Sequence, residues 1–262
     1  MPPGFVVTTT PRGRLLQTLT HFSVYASDGD ADGRSRCDAS CAKIWPPVLA
    51  SELAHSSGEW SVVERSSGVK QWAFRKQPLY TYSLDHGPRS QDGSDVSGWH
   101  NVYTQAAPPP PPGFTVQDTE SGQVLADSRG MTIYTYRCGD DALDQLSCDH
   151  PSTTQVYRLA MCGGGDAARC LRDFPYVPAP ADGHSGSRSW SVVHIDAKSG
   201  AFVARNALGA LHVWAYRDRP VYTYAGDFKP GDINADAHGE FRSEREGFLA
   251  FWLRDDFFYR TY

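Results

Sequence analysis

Two acidic loops carry the clearest repeated chemistry in the sequence. Asp28, Asp30 and Asp32 alternate along Asp28-Gly29-Asp30-Ala31-Asp32-Gly33, and Asp232, Asn234 and Asp236 alternate in the same way in the second half. Oxygen side chains at every second position, with a glycine to tighten the turn, let a loop wrap Ca2+. The surroundings argue the other way. Arg34 and Arg36 follow the first loop at once, and Ala39 stands where a calcium loop supplies its bidentate glutamate; Ala237 and Ser243 fill the turn and closing positions of the second. Solvated turns, in which Asp and Asn accept nearby amide hydrogen bonds and tolerate the left-handed conformation, are the preferred reading, with calcium ligation as the alternative. The nine histidines are scattered, none pairing at i, i+2 or i, i+4; His100, in Gly98-Trp99-His100, is the one candidate ligand or acid–base group among them. No G-x-S-x-G, H-E-x-x-H, Walker loop or strand-borne G-x-G-x-x-G is present, so hydrolase, zincin and nucleotide-binding chemistries have no anchor. Cys162-Gly-Gly-Gly-Asp166 lacks the lysine of a phosphate cradle and reads as a turn closed by cysteines.

The elements that must position these residues are strands. Phe22–Tyr25, Trp72–Phe74, Leu79–Tyr82, Met131–Tyr136 and Val221–Tyr224 are β-branched and aromatic, and Gly, Asp or Pro bounds each. Residues two apart in a strand share a face, so Trp72 with Phe74, Tyr80 with Tyr82 and Tyr222 with Tyr224 put paired rings on one side. A period of 3.6 is sustained only over Glu244 to Phe251, where a short helix is expected.

The chain repeats itself. Pro2-Pro-Gly-Phe5 recurs as Pro111-Pro-Gly-Phe114, 109 residues on, and the same spacing carries Gly13, Leu16 and Tyr25 onto Gly122, Leu125 and Tyr134. Further along, Cys41 to Val48 matches Cys170 to Val177 at a spacing of 129, Trp60-Ser-Val-Val63 matches Trp190-Ser-Val-Val193, and Trp72 to Tyr82 matches Trp214 to Tyr224. The second copy thus carries an insertion of about twenty residues. Between the copies, Pro108 to Pro112 favours stiff, extended polyproline II. Domain one is expected over residues 1–107 and an enlarged copy over 108–262, with the insertion around 138–162.

With 262 residues, 40% hydrophobic and 21% charged, the sequence belongs to folded globular proteins. A formal charge of -5 offers no positive excess for a phosphate backbone, so no nucleic-acid partner is expected. No apolar run spans a bilayer, and Met1–Phe5 has neither region of a signal peptide. Six cysteines fall in local pairs, Cys37 with Cys41, Cys138 with Cys148 and Cys162 with Cys170. None is C-x-x-C, so disulfides and an oxidising compartment are favoured over a thiolate metal site.

Tyr80-Thr-Tyr82-Ser-Leu-Asp85 and Tyr222-Thr-Tyr224-Ala-Gly-Asp227 fit Tyr-x-(Phe/Trp/Tyr)-x-x-Asp. With Cys37-x-x-x-Cys41-Ala-x-x-Trp45-Pro-Pro47 and Gly98-Trp99-His100, the chain resembles the bacterial secreted-repeat and predicted-lipoprotein family that bears the Yx(FWY)xxD motif. Tyr25-Ala-Ser27 lacks the second aromatic, Tyr134-Thr-Tyr136 lacks the final Asp, and the second copy has no clear Gly-Trp-His. The resemblance implies an exported protein, periplasmic or extracellular, sometimes held by a lipid anchor, of largely unassigned activity.

The resulting expectation is an all-β protein of two tandem homologous antiparallel domains pinned by disulfides. It would act as a non-catalytic binding or assembly module for an envelope protein or glycan. The alternatives are a metal-binding accessory or calcium-stabilised surface protein, and an enzyme acting on envelope polysaccharide. Asp85 and Asp227 are expected to cap turns behind their strands, with the paired tyrosines in the core; alternatively, the tyrosine strands line a groove that stacks on sugar rings.

Overall fold

The computed structural model describes residues 1–30, 33–65, 68–138, 167–198, 200–236 and 246–255. Contacts divide the chain into two compact units, Met1–Ala107 joined by a segment from Arg254 onward, and Pro108–Leu253. Nearly all regular structure is antiparallel strand, in several small sheets.

In the first unit, the Val- and Thr-rich β1 (Phe5–Thr10) turns back on β2 (Gly13–Thr18), closing at Thr10 opposite Gly13. Gly13 has φ +131, and a Cβ there would lie 2.2 Å from the Gln105 carbonyl oxygen, so only glycine lets β8 (Tyr103–Ala106) lie against the hairpin. A second hairpin, β4 (Trp60–Glu64) with β5 (Lys70–Phe74), pairs Trp60 with Phe74 and Val62 with Trp72, and β6 (Gln77–Pro78) extends it. Between the hairpins, β3 (Tyr25–Ser27) pairs with β7 (Trp99–Asn101). A four-residue helix, α1 (Cys41–Ile44), leads into Trp45, and a 3-10 turn (Asp92–Asp95) leads towards Trp99.

Rings of backbone hydrogen bonds lock these pieces together. The Leu16 amide donates to Val102, Val102 to Val24 and Val24 back to Leu16, at 2.9, 2.9 and 3.1 Å. A second ring runs from Val48 to Leu79, Leu79 to Trp72 and Trp72 to Val48, at 2.8, 2.9 and 2.9 Å. Each ring takes one residue from the opposite half of the unit, since Val102 closes on the first hairpin and Val48 on the second. Neither half can complete its hydrogen bonding alone. The core inside holds Phe5, Leu16, Val24, Trp60, Trp72, Phe74, Leu79 and Val102.

The second unit runs through its elements in the same order. It comprises β9 (Thr115–Thr119), β10 (Gly122–Ala126), β11 (Tyr134–Cys138), α2 (Ala167–Asp173), β12 (Trp190–Asp196), β13 (Ala210–Tyr216), β14 (Arg219–Tyr222), β15 (Glu246–Ala250) and the first two residues of β16 (Trp252–Asp255). The sheets are β16-β10-β9 and β12-β13-β14-β11-β15. Leu125, Ile133 and Phe251 form the counterpart of the first ring, at 2.9, 2.9 and 2.8 Å. Its core packs Leu125, Ile133, Val177, Trp190, Trp214, Val221 and Phe251.

Two expectations need correction. The segment Glu244–Phe251 is not a helix where it is described: β15 pairs with β11, Tyr134 opposite Ala250 and Tyr136 opposite Phe248. Gly247 weakens a helix, and a short apolar run fits either period until a neighbouring strand claims it. Leu79–Tyr82 is likewise no full strand. Tyr80 makes single bridges to Tyr25 and Pro47, after the ladder of β6 has ended at Pro78.

Candidate functional site

Tyr25 and Tyr80 sit opposite each other, the Tyr25 amide donating to the Tyr80 carbonyl at 2.8 Å and the reverse bond closing at 2.9 Å. Both side chains are fully buried. Their hydroxyls then cross over. Tyr25 donates to Asp85, five residues beyond Tyr80, at 2.9 Å to one carboxylate oxygen and 3.0 Å to the other. Tyr80 donates to Asp30, five residues beyond Tyr25, at 2.6 Å, and the Ser35 hydroxyl lies 2.7 Å away. The Tyr25-to-Asp30 stretch is therefore a working half of the motif despite lacking its second aromatic. In the second unit Tyr134 faces Tyr222 across β11 and β14 and donates to Asp227 at 2.8 Å, while Asp227 also accepts the Asn234 amide at 3.0 Å. Gly139, not a carboxylate, stands five residues after Tyr134.

Burial governs the electrostatics. It pushes Asp85 up to about 7, helped by the charge of Asp92, and outweighs the stabilising bond from Tyr25. Burial and then the facing carboxylate raise Tyr25 and Tyr134, and burial with the Asp30 hydrogen bond raises Tyr80 to about 12. Burial also raises Asp227. These tyrosines stay neutral donors.

Beside Asp85 lie Ser90, His86 and Asp92, a trio whose residue types match a hydrolytic triad. The geometry does not. Ser90 donates to Asp92 at 2.6 Å, and both contact the same imidazole nitrogen, His86 Nδ1, at 3.2 and 2.6 Å. A triad needs the nucleophile on one ring nitrogen and the carboxylate on the other, so that the imidazole can take the hydroxyl proton. Ser90 is buried and gives its proton to a carboxylate. Burial alone would raise Asp92, but the Ser90 and His86 hydrogen bonds hold it below the usual carboxylate range.

Against the crossed tyrosines lies an aromatic stack. Trp45 and Trp99 are parallel, 3.7 Å apart at 2°, with Tyr82 on Trp45 at 4.3 Å. Tyr25 meets Trp45 edge-on and Tyr80 meets Trp99 edge-on. In the second unit Phe174 and Phe248 stack at 3.5 Å and 4°, with Tyr224 on Phe174 at 4.8 Å. The counterpart of Gly98-Trp99-His100 is thus Gly247-Phe248-Leu249, because Tyr134 pairs with Ala250 as Tyr25 pairs with Asn101. Sequence comparison passed over it because Phe replaces Trp and Leu replaces His.

The acidic loops are engaged internally. Asp30 accepts the Arg36 amide at 2.7 Å as well as the Tyr80 hydroxyl. Asp28 contacts His100 Nδ1 at 2.9 Å, which brings two of the candidate ligands together on the surface. Asp232 accepts the Phe228 and Lys229 amides, Asn234 donates to the Gly226 carbonyl, and Asp236 accepts the Ala250 amide at 2.9 Å and the Trp252 indole N–H at 3.0 Å. Asp32 lies outside the described residues. Among the described residues no three His, Cys, Asp or Glu side chains cluster as a metal site. Cys37 and Cys41 are disulfide-bonded, and Cys170 takes part in a disulfide. Cys148 and Cys162 lie outside the described residues, as does the side chain of Cys138, which ends β11.

No family model, curated protein or solved structure matches the chain. Among the described residues, no helix is long and apolar enough to cross a membrane.

Proposed function

We propose that the chain is a non-catalytic, exported binding or assembly module, built from two copies of one disulfide-pinned β domain, whose partner is an envelope protein or glycan. One observation carries this reading. The motif's hydroxyls and carboxylates are engaged with one another, Tyr25 with Asp85, Tyr80 with Asp30 and Tyr134 with Asp227, so the most chemically distinctive residues hold the fold together rather than face a substrate. The misaligned Ser90–His86–Asp92 trio supports it further. Duplication is supported by the matched hydrogen-bonded rings and by the Trp45–Trp99 and Phe174–Phe248 stacks. Oxidised Cys37 and Cys41 accord with an oxidising compartment. For a partner, the first unit offers an apolar cleft of about 330 Å³ floored by Trp60 and Trp72 and edged by Leu53, His55 and Pro3, suited to a sugar face or a small apolar side chain.

The test is immobilised full-length chain exposed to envelope glycans and envelope protein extract, with product analysis of every retained component. Saturable retention without turnover, weakened by Leu53→Asp at the cleft rim, is expected. Turnover of any retained glycan that is abolished by Asp85→Asn or Asp92→Asn would overturn the proposal in favour of an enzyme.

A further inference from the structure

His194 and His212 stand directly opposite each other on β12 and β13, 18 residues apart in sequence. Their Nδ1 atoms are 2.8 Å apart, with ring centroids 4.9 Å apart and planes at 84°. Both rings are half-buried near the end of the hairpin where the chain crosses from β12 to β13, on the strand face that further along carries Trp190 and Trp214. Neighbouring backbone fixes the two positions. The Val203 amide donates to the His194 carbonyl and the Ala179 amide to the His212 carbonyl, each at 2.9 Å. The same register position in the first unit holds an oppositely charged pair, Glu64 opposite Lys70. The imidazole pair belongs to the second unit alone.

Two imidazole nitrogens this close cannot both carry a proton on the facing atoms. At most one proton bridges them, so at least one of the two facing nitrogens keeps its lone pair. Two nitrogens held about 2.0 Å from one metal at a right angle are themselves about 2.8 Å apart, the spacing of cis ligands in a square-planar site. The proton shared between the facing atoms passes through solvent to Nε2 of its own ring, and turning each ring by about 45° then aims both Nδ1 lone pairs at a common point.

From this geometry we propose that His194 and His212 form an exchangeable two-imidazole site for a divalent transition-metal ion, Cu2+ ahead of Ni2+ and Zn2+. The order follows from imidazole ligation, the cis spacing and the general stability series. Water fills the remaining positions, so the ion exchanges and stays open to a further ligand. The proposal is independent of the binding-module reading, because it uses none of the motif residues.

Titration of the full chain with Cu2+ at neutral pH, followed by electron paramagnetic resonance, tests it. One ion per chain in the tightest phase is expected, with hyperfine splitting from two nitrogens. His194→Gln and His212→Gln should each weaken that phase by about tenfold or more, whereas His184→Gln and His55→Gln should leave it unchanged. A readout on the unaltered chain guards against misfolded variants: Cu2+ should protect His194 and His212, but not His184, from acylation by diethyl pyrocarbonate. Equal protection of all three, or wild-type copper affinity in His194→Gln and His212→Gln, would overturn the proposal.

Discussion

The Tyr25 hydroxyl donates a hydrogen bond to Asp85 across 60 residues of sequence, and the Tyr25 backbone is bonded to that of Tyr80, which begins the segment that Asp85 ends. The reverse bond from Tyr80 to Asp30 makes the arrangement reciprocal. Each strand-and-turn segment supplies a donor to its partner and receives one in return. A motif of this kind is a clasp between two chain segments, which explains why both its tyrosines and its aspartates are buried or half-buried.

Removing the donor should therefore be costly. Tyr25→Phe leaves the half-buried Asp85 carboxylate without its principal partner, and a loss of about 1–3 kcal/mol is expected from urea unfolding. Tyr134→Phe should cost a similar amount through Asp227. A loss below a few tenths of a kcal/mol in both would show that the crossed bonds contribute nothing to the clasp.

The pH dependence has a definite sign. Asp85 keeps its proton in the folded chain up to about 7, against an ordinary value of 3.8, so between these values the native state binds more protons than the unfolded one. Its contribution to stability is present at pH 4 and is lost as pH rises through 7. Asp92, held low, acts in the opposite sense and only at or below the ordinary carboxylate range. Urea midpoints measured from pH 4 to 8 should fall more steeply for the wild type than for Asp85→Asn; parallel slopes would refute this.

Stack replacement should depend on ring retention. Trp45→Ala removes the buried partner of Trp99 and should cost about 3–5 kcal/mol. Trp45→Phe should cost clearly less, because Phe174 and Phe248 maintain a comparable stack in the second unit. Equal losses for the two substitutions would mean that the parallel ring contact is incidental.

The Cys37–Cys41 bridge closes a very short loop. In the chain-entropy description such a loop stabilises by only about 2 kcal/mol, so Cys37→Ser/Cys41→Ser is expected to fold with a lowered midpoint. Failure of the double variant to fold would assign the bridge a larger role than loop closure.

Calcium should not stabilise the chain. Asp30, Asp232 and Asp236 already accept amide, hydroxyl or indole protons. Thermal midpoints in millimolar calcium and in EDTA should coincide, whereas a calcium-dependent rise would restore the acidic loops as ion sites by mass action.

Strand class and the pairing of Cys37 with Cys41 were legible in the sequence. They rest on short-range signals: side-chain alternation, turn residues and local spacing. The donors of Asp85 and Asp227 were not legible, nor was the likeness in register between Gly247-Phe248-Leu249, beside β11, and Gly98-Trp99-His100, beside β3. Those relations are set by which strand lies beside which. Only antiparallel pairing decided that Tyr25 meets Asp85 and that His194 faces His212. Contacts across tens of residues depend on chain crossings whose register no local pattern encodes, because a single-residue shift would turn every side chain to the other face.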